Sequence, residues 1–303
     1  MKYIKLAAID IGSNSIRLLI VNVIPTKDYT YYRKVSMTRL PIRLGQDVFT
    51  KGEIGKKNVN RMLDGMKAYK YIMKVHGVQD FRACATSAMR EAANGLMITE
   101  KIAEKTGVNI EIVSGQEEAK LVFESKLFDK IQPTEKNFLY VDVGGGSTEL
   151  TLWRNGAIDA SRSFKIGTVR LLNDLVVDEV KTDMKTWVKH VTRDIDDIAM
   201  IGSGGNINKT HKMSGKLQSE PLELTYLNDL LHKLNGMNAE ERVTQLGLNF
   251  DRADVIVPAL RIYTSTTEWA GASRMYVPKI GVSDGIVREL YHERYKHQLE
   301  VIH

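Results

Sequence analysis

The chain has little cysteine, no long apolar run and no histidine pair spaced for a metal, and each absence narrows what it can do. A single cysteine, Cys84, stands among 303 residues, so no disulfide can form within the chain. It lies in "FRACATSAM" and reads as a small core residue. No apolar stretch reaches the roughly 20 residues that a membrane helix needs. The opening "MKYIKLAAIDIGSNS" has neither the apolar core nor the cleavage site of a secretory leader. A cytoplasmic protein with no membrane partner is the expectation. The seven histidines do not recur at zinc-ligand spacing. No helix-turn-helix, zinc-finger or ribonucleoprotein motif is present, so no nucleic-acid partner is expected. The oligomeric state is not fixed by the sequence, and a homodimer stays open.

What is there begins with an ordinary soluble composition, 26% charged and 43% hydrophobic. Lysine and arginine number 43 against 37 acidic residues, a net charge of +6. That balance fits either a solvated lysine-rich surface or a polyanionic partner. The length suggests about two domains.

Strand and helix patterns alternate along the chain. "YIKLAAID", "IRLLIVNVI" and "YTYYRKVS" read as strands. Residues Asn58–Val75 read as a helix with Val59, Met62, Leu63, Met66, Tyr69 and Met73 on one face. "FRACAT" and "NIEIVS" are further strands, with helices in "SAMREAA" and "LMITEKIAEKTG" between them. Gly115-Gln116-Glu117-Glu118 opens a helix running toward Leu127. "PTEKN", Pro133 to Asn137, is the best boundary, predicting domains over 1–132 and 133–303. Beyond it the pattern restarts with "NFLYVDV", "TELTLW" and "AIDASRSFKIG" as strands. Helices follow around Leu171 and over Met184–Val191. The strand "IAMIGS" then leads into Gly204-Gly205-Asn206 and another helix. Helices are predicted over Leu222–Leu234, Asn238–Leu246, Ala253–Glu268 and Asp284–Tyr295, with a late strand in "RMYVPKIGVS". Two rounds of alternation predict two α/β domains.

The restart is an internal repeat. "AIDIGSNSIRLLI" aligns with "YVDVGGGSTELTL" at a constant offset of 132 residues, Asp10 on Asp142, Gly12 on Gly144 and Ser15 on Ser147. Each copy reads strand, Asp, x, Gly, turn, strand. Matching turns in two halves suggest a ligand held in a cleft between related domains.

Glycine turns expose backbone N–H groups with no side chain in the way, a concave setting for an oxyanion. Ser13, Asn14 and Ser15 add donors to the first turn, and Ser147 and Thr148 to the second, whose glycines are Gly144, Gly145 and Gly146. No Lys-Ser/Thr follows these glycines, so neither turn is a P-loop. Gly204 and Gly205, between a strand and a helix start, also suit an anion. Asp142 and Glu149 bracket the second turn and could reach Mg²⁺, which takes few carboxylates plus waters and phosphate oxygens. Equally, Asp142 could cap the turn and Glu149 face solvent. Glu117 and Glu118 open a helix, where the dipole alone favours carboxylates. Arg90 could be a surface charge.

Four segments, "AAIDIGSNSIRLLI", "ATSAMREA", "IEIVSGQEEAKLVF" and "DVGGGSTEL", together resemble the exopolyphosphatase / guanosine pentaphosphate phosphatase family in order and spacing. The likeness runs from near Leu6 to about Asn208, and "GLNFDRADVIVPAL" and "IGVSDGIVREL" resemble later family segments. The family belongs to the superfamily of actin, sugar kinases and heat-shock chaperone ATPases. The resemblance therefore implies an α/β fold of two duplicated ribonuclease-H-like domains with the active site between them. It implies Glu118 as catalytic base, and Asp142 and Glu149 as metal positions, with Asp10 as a further candidate. It assigns the two turns and Arg90 to phosphate, and matches Gly204-Gly205 more loosely. The cofactor implied is Mg²⁺ or Mn²⁺. The expected reaction is release of terminal phosphate from inorganic polyphosphate, or from guanosine pentaphosphate. Arg33, Lys34, Arg39, Arg43, Lys209 and Lys212 are candidates to line a polyphosphate path. The chain resembles a short, two-domain form. An ATP-dependent kinase or ATPase shares the fold, and a non-catalytic sensor of polyphosphate or alarmone is a further alternative.

Overall fold

The computed structural model describes residues 3–125 and 135–296. Two compact units account for them. The first begins with β1 (Ile4–Ile11), β2 (Ile16–Pro25) and β3 (Thr30–Leu40). These lead into α1 (Leu44–Lys51) and α2 (Lys56–His76), then β4 (Asp80–Ala85) and α3 (Ser87–Glu91). The order continues with α4 (Gly95–Thr106), β5 (Ile110–Ile112) and α5 (Gly115–Glu124). The second unit contains β6 (Asn137–Val143), β7 (Thr148–Arg154), β8 (Ala157–Phe164), α6 (Thr168–Leu172), α7 (Asp178–Thr192) and β9 (Ile198–Ser203). After these come α8 (Gly205–Ser214), β10 (Leu222–Glu223), α9 (Leu224–Asn235), α10 (Ala239–Leu246), α11 (Phe250–Ala253), α12 (Ile256–Trp269) and β11 (Arg274–Tyr276). The last described helix is α13 (Val282–Arg294).

The first sheet runs β3-β2-β1-β4-β5 and the second β10-β11-β9-β6-β7-β8. In each, the leading strand pairs antiparallel with the next strand and parallel with the strand after the crossover. The repeat holds residue by residue. Asp10 stands opposite Arg17 and Ile11 opposite Ile16, as Asp142 stands opposite Glu149 and Val143 opposite Thr148. The N–H of Gly12 donates to Ser15 O at 3.1 Å, and that of Gly144 to Ser147 O at 2.9 Å. Even the irregularity recurs at the same offset: the register with the third strand shifts between Ile20 and Val21, and again between Leu152 and Trp153. A bulge sharpens local twist, and both units place it at the same distance from their turn.

The first core forms where Ala7, Ile9 and Ile11 of β1 and Leu18 and Ile20 of β2 meet the apolar stripe of α2. Val59, Met62, Met66, Tyr69 and Met73 are buried there, whereas Leu63 is half-buried. The methionines are core filling, as their spacing predicts. The second core joins β6, β7 and β9 to α7, α8, α9 and α12.

The domain boundary differs from the expectation. Residues from Ile280 onward belong with those up to Ser125, and residues up to Lys279 form the second unit. The final helix, expected at the end of a second domain, packs on β1, β2, β4 and α5. The reason lies in the strands. Leu6, Ala8, Leu19 and Val21 are as buried as their neighbours on the opposite face, so the sheet needs cover on both sides. Ile286, Val287 and Leu290 of α13 are buried in providing it. Pro133 and Thr134 of the expected boundary, and Leu127 of the expected helix, lie outside the described residues. α1 was not anticipated, and Leu222–Glu223, expected to start a helix, pairs as a strand with β11. No helix among the described residues is long and apolar enough to cross a membrane.

Candidate active site

In the second unit the glycine turn joins β6 to β7, and its carbonyls are tied from behind. Thr168 N–H donates to Gly144 O at 3.0 Å, Val169 N–H to Gly145 O at 2.9 Å, and Arg170 Nε–H to Gly146 O at 2.7 Å. Within a trans peptide the C=O and the next N–H point in opposite directions. Fixing three carbonyls toward α6 therefore turns the amides of Gly145, Gly146 and Ser147 away from it. None of these three amides donates to another backbone group among the described residues. A row of outward backbone N–H groups is an anion nest.

The side chains around this turn divide their roles. Ser147 Oγ donates to Glu149 Oε1 at 2.6 Å, and Ser163 Oγ reaches the same oxygen at 3.0 Å. Thr148 is fully buried and its hydroxyl donates to Ile166 O at 2.6 Å, so it fastens the strand end. Asp142 is half-buried and accepts a bond from Tyr140 at 3.3 Å. Burial raises the Tyr140 phenol well above its ordinary range, and the Asp142 charge adds to that rise. Gly204 follows β9 with φ +117°, and a Cβ there would lie 3.1 Å from Tyr263 Oη and 3.6 Å from Asp142 Oδ1. Gly204 and Gly205 thus bring the start of α8 close to Asp142. Among the described residues no group of three or more acidic, histidine or cysteine side chains could hold a metal. Asp142 and Glu149 do form a facing pair of carboxylates, the limited donor set that Mg²⁺ accepts beside water and phosphate oxygens.

The first unit carries the same turn with different chemistry. Asp10 is buried, with Arg17 Nη1 at 3.5 Å. Burial raises its pKa, while Arg17 and a hydrogen bond from Ser283 pull it down. The slot opposite the aspartate therefore holds a cation in the first unit and a carboxylate in the second, and the second suits a metal better. Ser13 and Ser15 are buried; Ser13 Oγ lies 2.9 Å from Ser87 Oγ. The Asn14 carboxamide oxygen is buried and accepts no bond among the described residues. Arg90 is half-buried and donates from Nη1 to Val113 O at 2.7 Å, which ties α3 to the end of β5.

Glu117 and Glu118 separate cleanly. Ser114 N–H donates to Glu117 Oε2 at 2.7 Å, and Glu117 N–H to Ser114 Oγ at 3.2 Å. That reciprocal pair is a capping box. The Ser114 backbone and hydroxyl bonds hold the exposed Glu117 carboxyl below its usual range. Glu118 is half-buried on the next position of α5, and its carboxylate takes no part in the cap. The signature Ser-x-x-Glu was present in the sequence and could have told the two apart.

The Ppx/GppA phosphatase family model matches residues 23–294. The chain belongs to this family. As a member of it, the chain is a phosphatase that hydrolyses phosphoanhydride bonds. It is 28% identical over 287 residues to a bifunctional 3-dehydroquinate synthase/phosphatase of Fusobacterium nucleatum, spanning 88% of this chain but only 43% of that protein. It is 26% identical to exopolyphosphatase 2 of Mycobacterium tuberculosis over 96% of this chain and 99% of the relative. The crystal structure of an exopolyphosphatase from Cytophaga hutchinsonii superposes with a TM-score of 0.82 at 22% identity, covering 95% of this chain and 98% of that one. That likeness supports the Ppx/GppA fold: two α/β units of ribonuclease-H-like type.

Among the expected path residues of this Ppx/GppA member, two have structural duties. Lys34 is paired with Asp284 at 2.8 Å, and Lys209 Nζ lies 3.3 Å from the Leu246 and Gly247 carbonyls at the end of α10. Arg33 and Lys212 are exposed, and Arg39 and Arg43 half-buried. Sequence reasoning missed Tyr140, Ser163, Gly167 and Arg170, whose contributions are tertiary.

Proposed function

We propose that the chain removes terminal phosphate from inorganic polyphosphate, with Glu118 as the base. The row of Gly145, Gly146 and Ser147 amides carries this reading: it offers fixed donors to phosphate oxygens without a P-loop lysine. Glu118 orients a water and takes its proton as the water attacks the terminal phosphorus in line with the departing anhydride oxygen. Arg90 adds charge to the phosphate oxygens. Asp142 and Glu149 would hold Mg²⁺ or Mn²⁺, which when bound would offset phosphate charge. Rate enhancement then comes from positioning and electrostatics. The net charge of +6 favours a polyanion. The lone buried thiol suits a reducing compartment, and the cytoplasm is the proposed location.

Guanosine pentaphosphate is the second substrate to weigh, because an amide row grips a terminal phosphate whatever lies behind it. Parallel kcat/KM values for polyphosphates of several lengths, guanosine pentaphosphate and ATP, at two salt concentrations, decide between them. Polyphosphate should lead, with a rate that falls as salt rises. A wide lead for guanosine pentaphosphate would make the protein a nucleotide phosphatase, and ATP leading would return it to the kinase or ATPase class. Binding without turnover would make it a sensor.

A further inference from the structure

Three glycines in a row make a poor clamp unless something holds them, since glycine visits φ values of either sign freely. The Gly167–Arg170 segment supplies the hold. Gly167 lies so near the turn that a Cβ would come within 2.4 Å of the Gly145 carbonyl, so only glycine allows this approach. Two of the three carbonyls are then held by backbone amides, a service any residue at 168 or 169 could give. The third, Gly146 O, is held by a side chain, the Nε–H of Arg170 at 2.7 Å.

The first unit shows what the extra bond is for. Its turn is Gly12-Ser13-Asn14-Ser15, and the Gly45 amide holds the middle carbonyl, Ser13 O, at 2.8 Å. That bond corresponds to Val169 on Gly145. Among the described residues the first turn receives no counterpart of the Arg170 bond. Its non-glycine residues restrict the backbone themselves, whereas the all-glycine turn is restrained from outside.

We infer that Arg170 is a positioning residue for phosphate binding: it holds the Gly146 carbonyl back and so keeps the Ser147 N–H facing the substrate. Rotation of that one peptide would replace an N–H with a carbonyl oxygen and repel the phosphate. The inference rests on the phosphohydrolase reading, and its test separates the two. Inorganic phosphate is titrated into ¹⁵N-labelled wild-type protein, Arg170→Met and Arg170→Lys, following the amides of Gly145, Gly146 and Ser147. In wild type all three should shift. In Arg170→Met the Ser147 response should be lost while Gly145 and Gly146 still respond. KM for polyphosphate should rise about tenfold, the effect of one hydrogen bond to a charged ligand, with little change in kcat or melting temperature. Arg170→Lys keeps a donor and should recover most of the Ser147 response. An unchanged Ser147 shift in Arg170→Met, or a lysine variant no better than methionine, overturns the role of Arg170. If no amide of the turn responds in wild type, the phosphate assignment of the turn itself falls, and the inference with it.

Discussion

Asp142 stands directly opposite Glu149 across β6 and β7, in the slot that Asp10 and Arg17 fill in the first unit. Two facing carboxylates repel unless a cation or proton lies between them. Activity should therefore require Mg²⁺ or Mn²⁺ and vanish in excess chelator. Asp142→Asn should raise the metal concentration for half activity steeply. Tyr140→Phe keeps the ring stacked on Trp153, at 5.9 Å between centroids, and removes only the hydroxyl beside Asp142. It should raise the same concentration by about tenfold, the usual scale for an outer partner of a metal ligand. Metal titrations of activity in both variants check this. Full wild-type turnover in chelator would remove the metal from the scheme.

Glu117 and Glu118 give a paired prediction from neighbouring carboxylates. Glu118→Gln should lower phosphate release by about 10²–10⁴-fold, the range for a lost general base, without changing the melting temperature. Glu117→Ala should do the reverse. It weakens the cap on α5 at a cost of about 1 kcal/mol, and leaves turnover within a few-fold of wild type. Phosphate-release assays and thermal melts of both variants decide it. Equal losses of activity would mean that the helix start, and not one carboxylate, is what matters.

A third expectation concerns pH. Glu289 of α13 bonds Arg82 of β4, and Lys120 of α5 at 3.0 Å. Burial pushes the Glu289 carboxyl up, but its bonds to Lys120 and Arg82 outweigh that, and the net shift is down from 4.5. A carboxylate with a depressed folded pKa stabilises above its unfolded value, and that stability disappears as pH falls through the folded pKa. Wild type should thus lose stability on acidification from about pH 5 downward. Glu289→Gln should be less stable at pH 7 by about 2 kcal/mol, with a flatter decline below pH 5. Denaturant midpoints across the pH series test this. Parallel curves would show that the Glu289 pair is not what acid breaks.

How much was legible follows from where each signal resides. The offset between Asp10 and Asp142 was visible because the repeat is local, and the structure extends it to hydrogen bonds and the bulge at Ile20 and Leu152. The stripe on α2 was legible for the same reason. The sheet that α13 covers was not, because an amphipathic helix does not name its partner. α1 was missed because it is eight residues long, with a glycine at its second position and no capping side chain. Arg170 looked like any helical arginine; its value lies in a carbonyl 24 residues earlier in the chain. Thr148, read from the same motif as a phosphate donor, has its hydroxyl bonded inward to Ile166 O, a partner that the sequence pattern does not name.

The last prediction links a contact between α13 and α5 to the base. Gly285 of α13 packs against α5, and a Cβ there would fall 1.7 Å from the Leu121 carbonyl oxygen. The listener in that contact is backbone, which cannot swing aside as a flexible side chain can. Gly285→Ala must push α13 and α5 apart, with a cost near the upper end of the ~1–3 kcal/mol typical of overpacking. Glu118 lies one turn before Leu121 on the same helix, so moving α5 moves the base. The variant should therefore lose stability and kcat together. A helical control, Ala at exposed Glu293, should leave both quantities unchanged. The measurements are thermal melts with steady-state kinetics on the two variants. A Gly285→Ala protein with wild-type melting temperature would show that α5 and α13 do not approach this closely. One that is destabilised but has wild-type kcat at a temperature where it stays folded would show that Glu118 is placed independently of α13.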